Sequence, residues 1–157
     1  MRKINFIQKL VKEEKITLVE KSKEISESYN IKSKNSLKAA KLLYKQELLE
    51  EATSMSYYAM YHKVNSLLYL IGIKCENHAG AIILLKELFE IDNKDISFAK
   101  AERVDKQYYT DFVITKAEVK KSIESSEGFI EKLDMFIDFL NEEKRNRYRN
   151  DLSEKYF

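Results

Sequence analysis

Proline and tryptophan are absent from this sequence, glycine occurs three times and cysteine once. An all-β chain needs many turns rich in Gly, Pro and Asn, so the scarcity of breakers excludes that class and favours long helices. The single Cys75 excludes an internal disulfide, which fits a reducing, cytoplasmic compartment. Long apolar runs are also missing. The longest, "SLLYLIGI" at 66–73, falls far short of the roughly 20 residues that cross a bilayer, so no membrane association is expected. At the start, "MRKINFIQKLVKEEK" meets charges too early for a signal-peptide core. No single sign of charge dominates: the formal net charge is +2 and the isoelectric point is near 8.4, values that demand no nucleic-acid partner.

What is present suits a folded helical chain. Hydrophobic residues make up 44% and aromatics 11%, which separates the chain from disordered ones despite its many charges. Its length fits a single domain over 1–157. Ile4, Val11, Leu18 and Ile25 recur every seven positions, with Ile7 and Leu10 broadening the stripe. That pattern predicts one amphipathic helix over about 3–28, filling an N-terminal segment 1–29. The charged Glu14 and Lys21 at companion positions argue against a coiled-coil seam.

"YNIKSKNS" (29–36) interrupts the pattern, and Ser33 or Ser36 is expected to cap a second helix through "LKAAKLLYKQELLEEA". A third helix stops at Gly72, a natural left-handed cap. Asn77 starts a fourth, a fifth covers about 95–109, and "TKAE" from Thr115 forms a capping box for a sixth. In that sixth helix Val119, Ile123, Ile130, Leu133, Ile137 and Leu140 share one face. The expected fold is all-α, an up-and-down antiparallel bundle of five to six helices. Its core spans 36–140, and a basic helix end or tail occupies 141–157.

Residues 56–80 hold both histidines, the cysteine and two of the glycines. At about 100° per residue, Met55, Ala59, His62, Ser66, Tyr69 and Ile73 line one side of the third helix. Tyr57, Met60, Val64, Leu67, Leu68 and Ile71 line the other. A helix apolar on both sides, interrupted chiefly by Lys63, belongs at the centre of the bundle. His62 reads either as a buried, hydrogen-bonded imidazole or as a general acid or base that needs a polar group from another helix. Tyr57, Tyr58 and Tyr61 read as packing residues or as a stacking platform. Cys75 and His78 have the spacing of half a metal site, yet no second Cys/His pair follows, and Glu-x-x-His pairs are absent. Glycine-rich phosphate loops are absent too, so neither metal nor cofactor is expected. A nucleophilic pairing of Cys75 with His62 or His78 stays open.

"SYYAMYHKVNSLLYLIGI" followed by "NHAGAI" resembles the HEPN family, the higher eukaryotes and prokaryotes nucleotide-binding domain. The likeness is to a small stand-alone branch with Tyr-Tyr-Ala-Met-Phe-His, a glycine and a His-x-Gly, and it covers about 37–140. An Arg, an Asp-Tyr pair and a long final helix follow in that branch. Here the counterpart is "RVDKQYYTDF" from Arg103, with Gln107 where the branch has Asp, and then the helix from Thr115. The resemblance implies a helical bundle that dimerises and pairs with a nucleotidyltransferase protein, often as a toxin–antitoxin couple. Ribonuclease members of the wider family carry Arg, then four to six residues, then His. Neither histidine follows any of the five arginines at that spacing here.

Arg103 is the residue on which any phosphate chemistry centres, since a guanidinium holds phosphate bidentately and stabilises developing charge. Its other reading is an ion pair with Glu102, Asp105 or an acid on another helix. Gln107 shares its face one turn on, whereas Tyr108 points about 140° away, so a dimer partner, His62 or His78 would have to complete a site. A tyrosine of ordinary acidity is a poor base at neutral pH. In the tail, "EEKRNRYRND" groups Arg145, Arg147 and Arg149 around Tyr148. That cluster reads as a single-strand RNA contact or as cations offsetting a helix dipole.

Three functions remain open at this stage. One is a dimeric module binding a nucleotide, RNA or a nucleotidyltransferase, through Arg103, Gln107, His78, His62 and the tail arginines. Another is a metal-independent endoribonuclease toxin using Arg103 with Tyr108 or a histidine. The last is a purely structural dimerisation module.

Overall fold

The computed structural model describes residues 2–108 and 113–157, with the backbone alone for 106–108. In chain order the elements are α1 (Arg2–Lys12), β1 (Ile16–Leu18), α2 (Lys23–Lys45), α3 (Leu49–Ile71), β2 (Ile73–Cys75), α4 (His78–Phe89), α5 (Lys94–Tyr108), α6 (Lys116–Asp138) and α7 (Glu142–Tyr156). The all-α bundle is observed, with one small two-stranded sheet among the described residues.

α3 is the central rod. Tyr57, Met60, Leu67, Leu68 and Ile71 are fully buried against Leu84 and Leu85 of α4, Ile7 of α1, Ile96 of α5 and Phe129 of α6. Small residues let the flanking helices approach it closely. On α2, Ser26 donates to the Ser66 carbonyl and Ser33 to that of Ala59, a register that runs antiparallel. On α6, Ser126 donates to the Ser56 carbonyl, and Lys63 pairs with Asp134, so α6 runs parallel to α3. Lys63 is only 3% exposed, and it also donates to Asn30 Oδ1 at 2.7 Å, tying three helices at one point.

Several ends follow local chemistry. Gly72 adopts φ +85° at the end of α3, Asn77 caps α4 by accepting from Gly80 N, and Thr115 caps α6 by accepting from Glu118 N. Val119, Ile123, Leu133 and Leu140 are buried as expected, while Ile130 and Ile137 are half-buried.

The single helix expected over 3–28 is two helices separated by a strand. Glu14 takes a positive φ after α1, and Ile16–Leu18 pairs antiparallel with Ile73–Cys75. The β-branched run of Ile16, Thr17 and Val19 suits a strand, and β2 supplies its partner. The seven-residue spacing there was coincidental, since Ile25 is exposed. Ser22, not Ser33 or Ser36, caps α2, by accepting from Ile25 N. The helix runs through 29–36 because Ser33 bonds to α3 rather than to its own backbone. The segment 141–157 is a separate helix, α7, capped by Asn141.

Candidate functional site

Four helices bring a ring-rich cluster together around the first half of α3. Because Asn77 fixes the start of α4, His78 sits in its first turn facing α3. Its ring lies 3.9 Å from that of Tyr61, nearly parallel, and its Nδ1 is 2.7 Å from the Tyr57 hydroxyl. Burial pushes the Tyr57 pKa far up, so the phenol keeps its proton and donates it. Burial, then the charges of Arg103 and Lys100, hold the His78 pKa below its usual value. A neutral imidazole accepting at Nδ1 carries its proton on Nε2.

His62 stands on the next flank of α3, with the rings of Tyr29 and Tyr58 each 6.0 Å away. Its Nδ1 is buried without a hydrogen-bond partner, and burial followed by Lys32 and His78 lowers its pKa. Tyr29, from α2, stacks on Tyr69 at 5.5 Å and carries Lys32 over its ring at 4.9 Å.

Arg103 of α5 closes the cluster. Its guanidinium carbon lies 5.0 Å from the Tyr58 ring centre and 5.6 Å from that of Tyr57. Its Nε is buried and unpartnered. Neither Glu102 nor Asp105 forms an ion pair with it, so the expected alternative partners are not engaged. Among the described residues no carboxylate pairs with Arg103, and a guanidinium so held on aromatic faces turns its outer N–H groups to an anion. The half-buried Tyr58 offers ring surface beside it for a base, and the half-buried Tyr29 stands beyond His62.

The chain thus brings Arg103, His62 and His78 together, which the periodicity of α3 alone did not show. The side chains of Gln107 and Tyr108 fall outside the described residues. Tyr29 was missed, although an aromatic three residues before a lysine on a long helix is a detectable signal. Cys75 is buried, its thiol pushed up to about 11 by that burial, and Sγ donates to the Asn77 carbonyl. Such a thiol is a poor nucleophile. Among the described residues no group of three or more His, Cys, Asp or Glu side chains is arranged to hold a metal.

The tail arginines lie apart from this cluster. Arg149 donates to the carbonyls of Val19 at 2.6 Å and Gly72 at 2.7 Å, at the far end of α3. That end is about 20 Å from Tyr58 by the helical rise. Arg145 lies 3.9 Å from Glu142, its Nε buried and unpartnered, and Arg147 lies over the Tyr148 ring.

Compared with known protein families, residues 26–136 match the HEPN domain. The chain belongs to the HEPN domain family. The matched span runs from α2 almost to the end of α6 and contains every residue of the ring cluster, whereas α1, β1 and α7 lie outside it. A toxin candidate of Methanocaldococcus jannaschii is 26% identical over 106 residues, covering 68% of this chain and 78% of that one. A UPF0332 protein of Thermotoga maritima is 28% identical over 128 residues, covering 74% of this chain and 93% of its own length. Among the described residues, no helix of this HEPN protein is long and apolar enough to cross a membrane.

Proposed function

We propose that this HEPN protein is a toxin-like module that binds a nucleotide or RNA at the α3–α4–α5 cluster and works as a homodimer with a nucleotidyltransferase partner. The observation that carries the reading is Arg103, whose guanidinium rests on Tyr57 and Tyr58 with its Nε unpaired and no ion pair to Glu102 or Asp105. A phosphate would take the outer N–H groups, and a base would stack on the half-buried rings. The name of the archaeal relative supports the toxin role. The partner and the dimer are what the family resemblance implies.

The test is a thermal shift with ATP, GTP and a short single-stranded RNA, on wild type and Arg103→Ala. A ligand at 100 times its Kd should stabilise the wild type by about 2.7 kcal/mol, and the variant should lose that gain. No shift with any of the three, or the same shift in both proteins, would refute the assignment of the site.

A second reading is favoured by the placement of His78 beside Arg103 and of His62 beside Tyr58, on whose ring Arg103 rests. Neutral His62 would take the proton of a ribose 2′-OH as that oxygen attacks phosphorus and expels the 5′-oxygen, which takes a proton from water, while Arg103 and the Nε2–H of His78 stabilise the charge on phosphate, a metal-independent cleavage. The phenol of Tyr57, protonated at all ordinary pH, cannot be that base. Incubation with total RNA separates the readings. Cleavage that disappears in both Arg103→Ala and His78→Gln supports the endoribonuclease, and intact RNA with wild type excludes it.

A further inference from the structure

Outside the ring cluster, charge is most strongly segregated on α2. From Ser28 to Lys45 that helix contains five lysines and no acidic residue, in a chain whose charges otherwise nearly balance. Four of the five, Lys34, Lys38, Lys41 and Lys45, follow one another at steps of four, three and four. Such steps place them on one side of an α-helix within about 60° of each other. All four are exposed, and the row points away from α3, which Ser26, Ser33 and Ala40 face. Its length is about 17 Å by the helical rise.

Ordinary surface chemistry accounts for only part of this row. Lys41 pairs with Glu127 of α6 at 3.4 Å. Lys45, in the last turn, favours the negative end of the helix dipole. Neither effect reaches Lys34 or Lys38. Among the described residues no carboxylate pairs with Lys34, Lys38 or Lys45, so repulsion along the row is left uncompensated on the helix itself.

We infer that this lysine row is a second, sequence-independent interface for the phosphate backbone of a nucleic-acid duplex. Over 17 Å a duplex strand presents about five phosphates, at about 3.4 Å of axial rise per strand. Lysines on a straight helix meet such a line as point charges without reading bases. Single strands are gripped through rings interleaved along the cations, whereas this row has a half-buried ring, Tyr44, only at its Lys41–Lys45 end and Ile31, Asn35 and Leu42 along the rest of its outward side. A membrane surface needs a broad apolar face, whereas here Ile31 and Leu42 stand eleven positions apart. This interface does not depend on Arg103, which sits with the rings on another flank of α3.

The test uses the full chain and a labelled 20-base-pair duplex of arbitrary sequence, titrated between 50 and 200 mM salt. Replacing Lys34, Lys38 and Lys45 together by Gln should flatten the plot of log affinity against log salt by about 2.7, at roughly 0.9 per phosphate contact. Across that salt range the wild type should lose on the order of 40-fold more affinity than the triple variant. The triple Arg variant should keep the wild-type slope, and all three proteins should melt together because the replaced side chains are exposed. Arg103→Ala should leave the three-lysine share of the slope in place, which separates this interface from the ring cluster. An equal slope in wild type and Gln variant would overturn the inference. So would binding to phosphatidylserine vesicles or to polyglutamate with no binding to the duplex.

Discussion

At the residue scale the protein depends on a few side chains held in unusual surroundings. His62 and His78 both have pKa values lowered by burial, so the folded state favours their neutral forms. The unfolded chain takes up those protons first as pH falls below the ordinary histidine value near 6.5. The stability they contribute is therefore complete above that pH and is lost as pH drops through their lower folded values. Urea midpoints measured at pH 7.5 and 5.5 should fall on acidification, and the fall should shrink in His62→Asn/His78→Gln. Lys63 gives a second, asymmetric prediction. Its ammonium is buried and its partner Asp134 is half-exposed. Asp134→Asn strands a buried charge and should cost about 3–5 kcal/mol, whereas Lys63→Met leaves a carboxylate that water can solvate and should cost much less. Urea unfolding of the two variants checks the order, and equal losses would contradict it.

At the element scale, close contacts between α3, α2 and α6 rest on serine and alanine. Ser126→Leu would push α6 off the Ser56 backbone and should destabilise by about 1–3 kcal/mol, read from the thermal midpoint, while Ser122→Leu on the more open flank should cost less. Element ends that depend on neighbouring residues were legible in the sequence. Gly72, Asn77 and Thr115 each act within one helical turn, so their chemistry is visible from the string alone. The break after α1 was not, because β1 becomes a strand only by pairing with β2, more than fifty residues later. Ser33 misled for a related reason: a serine looks like a cap unless its acceptor, here the Ala59 carbonyl, lies on another helix. The candidate site was half legible. Arg103, His62 and His78 stood out by residue type, but their convergence depends on how α4 and α5 dock on α3, which no single-helix period encodes.

At the scale of the whole molecule, the parts outside the HEPN match hold one another and the far end of the matched α3. β1 pairs with β2, Lys21 bonds Glu142 and Asn146, and Arg149 reaches the carbonyls of Val19, Ile71 and Gly72. A Cβ at position 72 would collide with the Arg149 guanidinium and come within 2.6 Å of the Val19 oxygen, on a backbone that side chains rarely adopt. Gly72→Ala should therefore cost at least about 1–3 kcal/mol from backbone strain alone. Arg149→Met should lose charge-assisted bonds worth about 1.5–3 kcal/mol each at most, and combining the two should cost less than their sum because they remove one shared contact. Denaturation of the single and double variants checks this, and strict additivity would contradict it.

The Arg149 clasp also orders events during synthesis. Every carbonyl it binds is made more than seventy residues before the guanidinium that seals them emerges from the ribosome. Until then the rod's far tip stays open to water, and a chain interrupted before that point would present the tip to proteases.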